Sequence, residues 1–143
     1  RQTECFDAIL LDAPCSSARH VLADNKYLSQ WSPARIKTVA MEQWALLSSA
    51  YRMLAPGGYL LYSTCALSPA ENDGMIERLF KKFDDAGRAF GGEIPPYDQL
   101  SVARFCSVQL PSAEKTQFGF HILPDMQGGA GPIYFSLIVK NSK

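Results

Sequence analysis

The chain has 143 residues, 47% of them hydrophobic and 20% charged, and its 14 basic and 14 acidic residues give a formal net charge of zero. This composition is typical of one globular domain or part of one. No apolar run is long enough to cross a membrane, and the even charge balance excludes a protein that coats nucleic acid by bulk charge. Any contact with nucleic acid would have to use a local patch.

The first predicted element is a strand over Phe6 to Leu11, a short continuous apolar run of the kind that is buried on both faces of a parallel sheet. It leads into Asp12-Ala13-Pro14-Cys15-Ser16, and the functional groups of open α/β sheets gather at the carboxyl ends of the strands. A polar loop over residues 16–31 follows, which either solvates a surface or contacts a ligand. His20 in this loop has the chemistry of a general base, but its position alone does not establish that role.

A long helix and a second strand come next. Ser32 is a capping residue with Pro33 at the first helical position. Apolar residues then recur at helical spacing and predict a core stripe of Ile36, Val39, Ala40, Trp44, Leu47, Tyr51 and Leu54. Pro56-Gly57-Gly58 ends the helix and turns the chain into a strand from Tyr59 to Tyr62. These glycines lead from helix to strand, the reverse of a phosphate-binding loop, so we assign them no cofactor role.

Ser63-Thr64-Cys65 follows the second strand and puts a second cysteine at a strand end. If the two strands are neighbours, Cys15 and Cys65 face one crevice. A single cysteine is more often a small buried hydrophobe than a catalyst, and Cys5 and Cys106, outside any motif, keep that interpretation. The spacing of the four cysteines predicts no metal site. No secretory signal opens the chain, which favours free thiols in an intracellular, reducing compartment, the cytoplasm before the nucleus or an organelle.

The remaining segments are a helix, an irregular stretch and a hairpin. Ser68-Pro69-Ala70-Glu71 is a capping box for a helix, and a cysteine close before a helix feels the positive end of its dipole, which favours thiolate. The buried stripe of this helix is Met75, Ile76, Leu79, Phe80 and Phe83. Turn signals at 91–92 and 95–96 mark residues 84–117 as irregular. Residues 118–123 and 133–139 predict an antiparallel hairpin joined across 128–132, in which His121 has a structural role.

Two thiols and a carboxylate in one crevice suit the methylation of a pyrimidine. A thiolate that adds to carbon 6 of cytosine turns the ring into an enamine-like species that can take a methyl group at carbon 5. The thiolate must later be eliminated, and a second thiol could assist that step. Asp12 could hydrogen-bond the ring edge and stabilise the adduct.

These motifs resemble those of the S-adenosylmethionine-dependent RNA 5-methylcytosine methyltransferases of the Sun/Fmu type. The close match covers residues 6–83, and a weaker one covers 120–140, where the family has a terminal β-hairpin. The motifs that carry it are Asp12-Ala13-Pro14-Cys15-Ser16, Leu54-Ala55-Pro56-Gly57-Gly58, Tyr62-Ser63-Thr64-Cys65-Ala66-Leu67-Ser68 and Glu71-Asn72.

The resemblance implies a role for each residue of the site. Cys65 is the expected nucleophile, and Cys15 assists product release. Asp12 lies between cofactor and base, Asp12 and Pro14 contact S-adenosylmethionine, and Ser16 and Arg19 contact RNA. DNA cytosine methyltransferases use the Pro-Cys cysteine as nucleophile instead, so the Ser-Thr-Cys element favours RNA.

The resemblance begins at the family's fourth strand, and the glycine-rich turn and acidic residue that bind the cofactor in class I methyltransferases are absent from this sequence. We therefore expect an α/β fold, the C-terminal half of a Rossmann-like class I methyltransferase sheet with a terminal antiparallel β-hairpin. The expected partial domain spans 1–143, with a catalytic core over 1–83, an irregular segment over 84–117 and the hairpin over 118–143.

The expected activity is cytosine-5 methylation of ribosomal or transfer RNA. It would need the N-terminal half of the domain, or another chain, to cover the strand from Phe6 to Leu11. Two alternatives stay open: a different class I methyltransferase, and a non-catalytic RNA-binding or assembly module with the same fold.

Overall fold

The computed structural model describes residues 3–89, 112–125 and 128–142. Its elements, in chain order, are β1 (Phe6–Asp12), α1 (Ala18–Ala23), a 3-10 helix (Asn25–Gln30), α2 (Pro33–Met53), β2 (Leu54–Thr64), α3 (Asp73–Lys82), β3 (Ala86–Arg88), β4 (Glu114–Lys115), β5 (Phe120–Ile122) and β6 (Ile133–Lys140). The turn signals at 91–92 and 95–96, and Cys106, lie outside the described residues. Within the described ranges, no helix has the length and apolar character needed to cross a membrane.

The strands form one mixed sheet in the order β1-β2-β6-β5-β4, with β3 paired to β6. β1 and β2 are parallel, while β6 runs antiparallel to both β2 and β5. The predicted α/β fold and the terminal hairpin of β5 and β6 are therefore confirmed. Because β1 and β2 are parallel neighbours, their carboxyl ends meet at one edge of the sheet.

The long helix α2 begins where the sequence predicts, at Pro33, but it ends at Met53, before Leu54 of the predicted stripe. Pro56-Gly57-Gly58, predicted to end the helix, lie inside β2, which starts at Leu54 rather than at Tyr59. The Ser32 hydroxyl accepts a hydrogen bond from the Arg35 backbone N–H at 3.2 Å, a cap of the usual kind. Gly58 lets β2 approach β1, since a Cβ there would lie 2.9 Å from the Asp7 carbonyl oxygen. The core beneath the sheet contains Leu47, Ala50, Tyr51, Leu54, Leu60, Tyr62, Met75, Ile76, Leu79, Tyr134 and Ile138, with Trp44 packed against it.

The expectation that β1 is buried on both faces is wrong in this structure. Ile9 and Leu11 pack against the core, whereas Leu10, on the opposite face of the strand, is 70% exposed. Phe6 is also exposed. Within the described residues β1 pairs only with β2, so one face and one edge of this strand are open.

Three local predictions also differ from the structure. The segment 16–31, predicted as a polar loop, contains α1 and the 3-10 helix. The helix predicted to start at the capping box begins instead at Asp73, with Asn72 as its N-cap and no side-chain capping bond. Residues 66–72 therefore separate Cys65 from α3, and the predicted influence of the helix dipole on this cysteine loses its basis in sequence proximity. The segment 84–117, predicted as irregular, contributes the short strands β3 and β4.

Candidate functional site

The two predicted cysteine motifs meet at the carboxyl ends of β1 and β2. Asp12 lies in register with Ser63, and the Ala13 backbone N–H donates to the Ser63 carbonyl at 2.9 Å, extending the parallel pairing by one residue. Beyond this point the Cα atoms of Cys15 and Cys65 are 6.2 Å apart. The prediction that both cysteines face one crevice is confirmed by this geometry.

The sulfur atoms of Cys15 and Cys65 are in bonding contact, and the structure records the pair as a disulfide. The expectation of free thiols is therefore wrong for this pair as it stands. The physical reason is the parallel pairing itself, since it brings the two Cα atoms within the range of about 4.4–6.8 Å that disulfides bridge. Cys5, by contrast, is a free and exposed cysteine.

Asp12 and Pro14 lie on the solvent-exposed side of the strand ends, which we call the open side. Both are exposed, and the Asp12 carboxylate accepts one hydrogen bond, from the Ser63 hydroxyl at 3.3 Å. The Pro14 carbonyl points the other way and accepts a hydrogen bond from the Gln43 side-chain amide at 2.8 Å. The carboxylate of Asp12 therefore keeps acceptor capacity for a ligand at the strand ends.

Ser16, the residue after Cys15, is held by a buried carboxylate. Its backbone N–H and its hydroxyl donate to the two carboxylate oxygens of Glu71, each at 2.7 Å. Glu71 is fully buried and Ser16 is 2% exposed. Gln43, on α2, donates a third hydrogen bond to Glu71 at 3.2 Å. Both polar groups of Ser16 are thus engaged inside the protein, while the predicted RNA contact Arg19 is exposed on α1.

The residues on either side of Cys65 are held by Asn72. The Thr64 hydroxyl donates to Asn72 Oδ1 at 2.6 Å, and Asn72 Nδ2 donates to the Ala66 carbonyl at 2.9 Å. The Tyr62 hydroxyl donates to the Glu71 carbonyl at 2.7 Å. Burial, together with the negative charge of Glu71, raises the pKa of the Tyr62 phenol well above its ordinary value, so this hydroxyl keeps its proton and its hydrogen bond.

Three residues of this site carried no role in the sequence-based prediction. Glu71 and Asn72 match the family motif, but the sequence-based prediction gives them no role in the site and interprets Glu71 only as part of a capping box. Gln43 is fully buried. Its position in the sequence, four residues from both Val39 and Leu47 of the predicted stripe, is the signal that could have identified it.

A small cavity of about 100 Å³ lies beside Ser16 and Ser17, between α1, the 3-10 helix and the start of α2. Its lining includes Ser16, His20, Tyr27, Trp31 and Arg35. His20 is exposed, and its ring centroid is 5.7 Å from that of Tyr27. In the described part of the chain, no group of three or more His, Cys, Asp or Glu side chains could hold a metal ion.

The sheet and the paired strand ends define a Rossmann-like methyltransferase fold. The crystal structure of a methyltransferase homologue from Pyrococcus horikoshii matches 95% of this chain and 39% of its own, with a TM-score of 0.62 and 29% sequence identity. The model of the family described as 16S rRNA methyltransferase RsmB/F matches residues 1–122. The chain belongs to this family, which confirms the resemblance inferred from the motifs.

Two curated relatives are both ribosomal RNA small subunit methyltransferase F. The one from Aeromonas salmonicida (strain A449) is 51% identical over 83 residues, which cover 58% of this chain and 17% of the relative. The one from Escherichia coli O9:H4 (strain HS) is 39% identical over 126 residues, 86% of this chain and 23% of the relative. The matched region is thus about a fifth of the length of these relatives.

Proposed function

We propose that this chain supplies the cysteine-bearing part of the active site of an RNA (cytosine-5) methyltransferase that uses S-adenosylmethionine. The observation that carries the proposal is the juxtaposition of Cys15 and Cys65, with Cα atoms 6.2 Å apart at the ends of paired parallel strands. The exposed carboxylate of Asp12 lies on the same strand ends. Two thiols and one carboxylate are the groups that addition to a pyrimidine and later elimination require.

The proposed reaction uses the reduced pair, because only a thiolate is a nucleophile. The Cys65 thiolate forms a bond to carbon 6 of cytosine, and the electron pair released at carbon 5 takes the methyl group. The Cys15 thiolate then removes the proton left on carbon 5, the double bond between carbons 5 and 6 forms again, and the bond to Cys65 breaks. Both cysteines must therefore reach the same cytosine. The Cys65 sulfur bonds to carbon 6, and the Cys15 sulfur lies near the proton on carbon 5.

The donor, S-adenosylmethionine, supplies a methyl group on a positively charged sulfonium. Asp12 and Pro14 are the described residues that we propose would hold it, because both are exposed at the strand ends and the Asp12 carboxylate retains free acceptor sites. The described residues form one side of such a pocket. We propose that the rest of the catalytic domain, or another chain, covers the open edge of β1 and forms the remaining wall.

RNA contact remains a proposal. Arg19 is exposed on α1 beside the cysteine motif and suits a phosphate, while Ser16 would reach RNA only if its bonds to Glu71 open. The names of the relatives favour ribosomal over transfer RNA as the substrate class. We place the protein in a reducing intracellular compartment, the cytoplasm first, because the proposed nucleophile must stay reduced.

The test is methyl transfer by the full-length protein to small-subunit ribosomal RNA in the presence of a dithiol reductant. Cys65→Ala should abolish transfer. Cys15→Ala should instead leave an RNA–protein adduct through Cys65, visible as a slow band on a denaturing gel. The matched control is Cys5→Ala, since Cys5 is a free, exposed cysteine directly before the amino end of β1, away from the carboxyl ends where Cys15 and Cys65 meet, and it should leave transfer unchanged.

Other outcomes would overturn specific parts of the proposal. An adduct that survives in Cys65→Ala and disappears in Cys15→Ala would move the nucleophile to Cys15. Methylation on an exocyclic amine or a ribose would mean a different class I methyltransferase. RNA binding without any methyl transfer would favour the non-catalytic module.

A further inference from the structure

Two consecutive residues, Glu71 and Asn72, hold the two cysteine motifs from behind. Glu71 binds both polar groups of Ser16, directly after Cys15. Asn72 binds Thr64 and Ala66, the residues on either side of Cys65. We call the side chains of Glu71 and Asn72 the clamp.

The clamp is built at the expense of ordinary helix capping. The sequence pattern predicts that Glu71 caps α3, yet that helix begins without a side-chain capping bond and the Glu71 carboxylate turns to Ser16. Within the described ranges, the ion pairs do not include Glu71, so its buried charge is offset by three hydrogen bonds from Ser16 and Gln43. A buried carboxylate lowers stability unless its oxygens accept hydrogen bonds. Ser16 donates two of these bonds and is therefore held in one position.

The two halves of the clamp act on different cysteines. Glu71 restrains the turn that carries Cys15, because its partner Ser16 is adjacent in sequence. Asn72 restrains the turn that carries Cys65, and a hydrogen bond of 3.2 Å from the Ala66 N–H to the Thr64 hydroxyl closes that turn on itself. Because the two residues are neighbours at the start of α3, they also fix one turn relative to the other.

On the basis of the proposed function, we infer that Glu71 and Asn72 are positioning residues that set the two thiols against opposite steps of the reaction. Asn72 positions Cys65 for addition to carbon 6. Glu71 positions Cys15 for the proton removal that releases the product. Misplacement of a reacting group by about 1 Å can cost on the order of 100-fold in rate, so each half should control its own step.

The test measures adduct formation and adduct decay separately in single turnovers of the full-length protein. Asn72→Ala should slow adduct formation by about 10- to 100-fold and leave the decay rate nearly unchanged. Glu71→Ala should leave formation nearly unchanged and slow decay by a similar factor, so that the adduct accumulates even though Cys15 is present. Glu71→Gln retains an acceptor for the Ser16 N–H and should recover most of the decay rate.

The matched control is Ile76→Val on α3. Ile76 is fully buried in the core and the substitution removes one methylene without touching a polar contact, so it should leave both rates within about twofold. If Glu71→Ala and Asn72→Ala both lower formation and decay by the same factor, the clamp only stabilises the fold and the inference is overturned. Should either alanine variant fail to fold, Glu71→Met, which keeps the side-chain volume but removes the acceptors for Ser16, and Asn72→Ser are compared in the same way.

A second readout does not depend on RNA and separates this inference from the proposed function. Reduced protein is equilibrated with oxidised dithiothreitol, so that the Cys15 and Cys65 thiols form their disulfide as the reagent is reduced to its dithiol. Loosening either turn should lower the effective concentration of one thiol at the other by about 10-fold or more. An unchanged equilibrium in both alanine variants would overturn the clamp even if methyl transfer is found, whereas a shifted equilibrium without methyl transfer would overturn the proposed function alone.

Discussion

The two sides of the cysteine pair differ in how completely this chain builds them. Behind the pair, Glu71 and Asn72 are buried and their side-chain oxygens and nitrogens are hydrogen-bonded to the cysteine turns. In front of it, Asp12 and Pro14 are exposed, and β1 is paired on one edge only within the described residues. The chain therefore fixes the position of two thiols by itself, but leaves open the side on which a cofactor would bind.

The largest expected effect of the open side is weak binding of S-adenosylmethionine by residues 1–143 alone. Ligand pockets bury about 70–90% of a small molecule's surface, and the described residues offer one wall of such a pocket. We predict that the chain alone binds S-adenosylmethionine at least about 100-fold more weakly than the full-length protein, a difference of about 2.8 kcal/mol in binding free energy. Isothermal titration calorimetry on both proteins measures it.

A cooperative thermal transition of the chain alone is the necessary control, because the open edge of β1 is a template for aggregation. Micromolar binding of S-adenosylmethionine by folded residues 1–143 would contradict the conclusion that one side of the cysteine pair is open. It would mean that the open side already holds a complete pocket.

Asp12 tests the open side by its chemistry. Asp12→Asn should lower the single-turnover methylation rate of the full-length protein by about 10- to 100-fold, because it removes a charge directed at cofactor and base. The free energy of unfolding should change by less than about 0.5 kcal/mol, since the side chain is exposed and accepts one long hydrogen bond. Asp7→Asn is the control, because Asp7 is exposed at the opposite end of β1. Near-normal methylation in Asp12→Asn would leave the open side without a catalytic carboxylate.

The sequence predicted the elements whose signals are local. The start of helix α2 was predicted correctly because Ser32 and Pro33 act on their immediate neighbours, whereas the helix ends at Met53, before Pro56-Gly57-Gly58. The meeting of Cys15 and Cys65 also followed from a general rule for strand ends. The start of the helix does not depend on distant residues, whereas the meeting of the cysteines, 50 residues apart, required β1 and β2 to be neighbours, a condition that the sequence alone leaves open.

The Glu71 half of the clamp was beyond sequence prediction because its partner Ser16 is distant, whereas Asn72 binds Thr64 and Ala66, only eight and six residues away. Ser16 and Glu71 are 55 residues apart, and the local pattern at Ser68 and Glu71 favoured a capping box. A tertiary hydrogen bond to a backbone N–H that would otherwise be buried without a partner outweighs a helix cap worth about 1 kcal/mol. The exposure of Leu10 was missed for the same reason, since the burial of a strand face depends on what covers it.

The smallest expected effect is on the pH dependence of stability. It involves His121 of β5, on the same side of the cysteine pair as Glu71 and Asn72. Burial lowers the pKa of His121 below its ordinary value, while a hydrogen bond with the Ala66 backbone and the charges of Glu114 and Asp73 oppose the shift. In the described residues its Nε2 is buried without a hydrogen-bond partner, which likewise disfavours a second proton. His20, in contrast, is exposed on α1.

Because the folded state holds the His121 proton less tightly than the unfolded state, the unfolded chain binds more protons as the pH falls through the ordinary histidine pKa of about 6.5. The contribution of His121 to stability is therefore fully present above that pH and decreases as the pH falls below it. We predict that the free energy of unfolding of residues 1–143 in urea decreases between pH 7.5 and pH 5.5, and that His121→Gln reduces this dependence. If the free energy of unfolding changed equally with pH in His121→Gln and in the unaltered chain, His121 would be as well solvated as an exposed histidine, which would contradict the prediction.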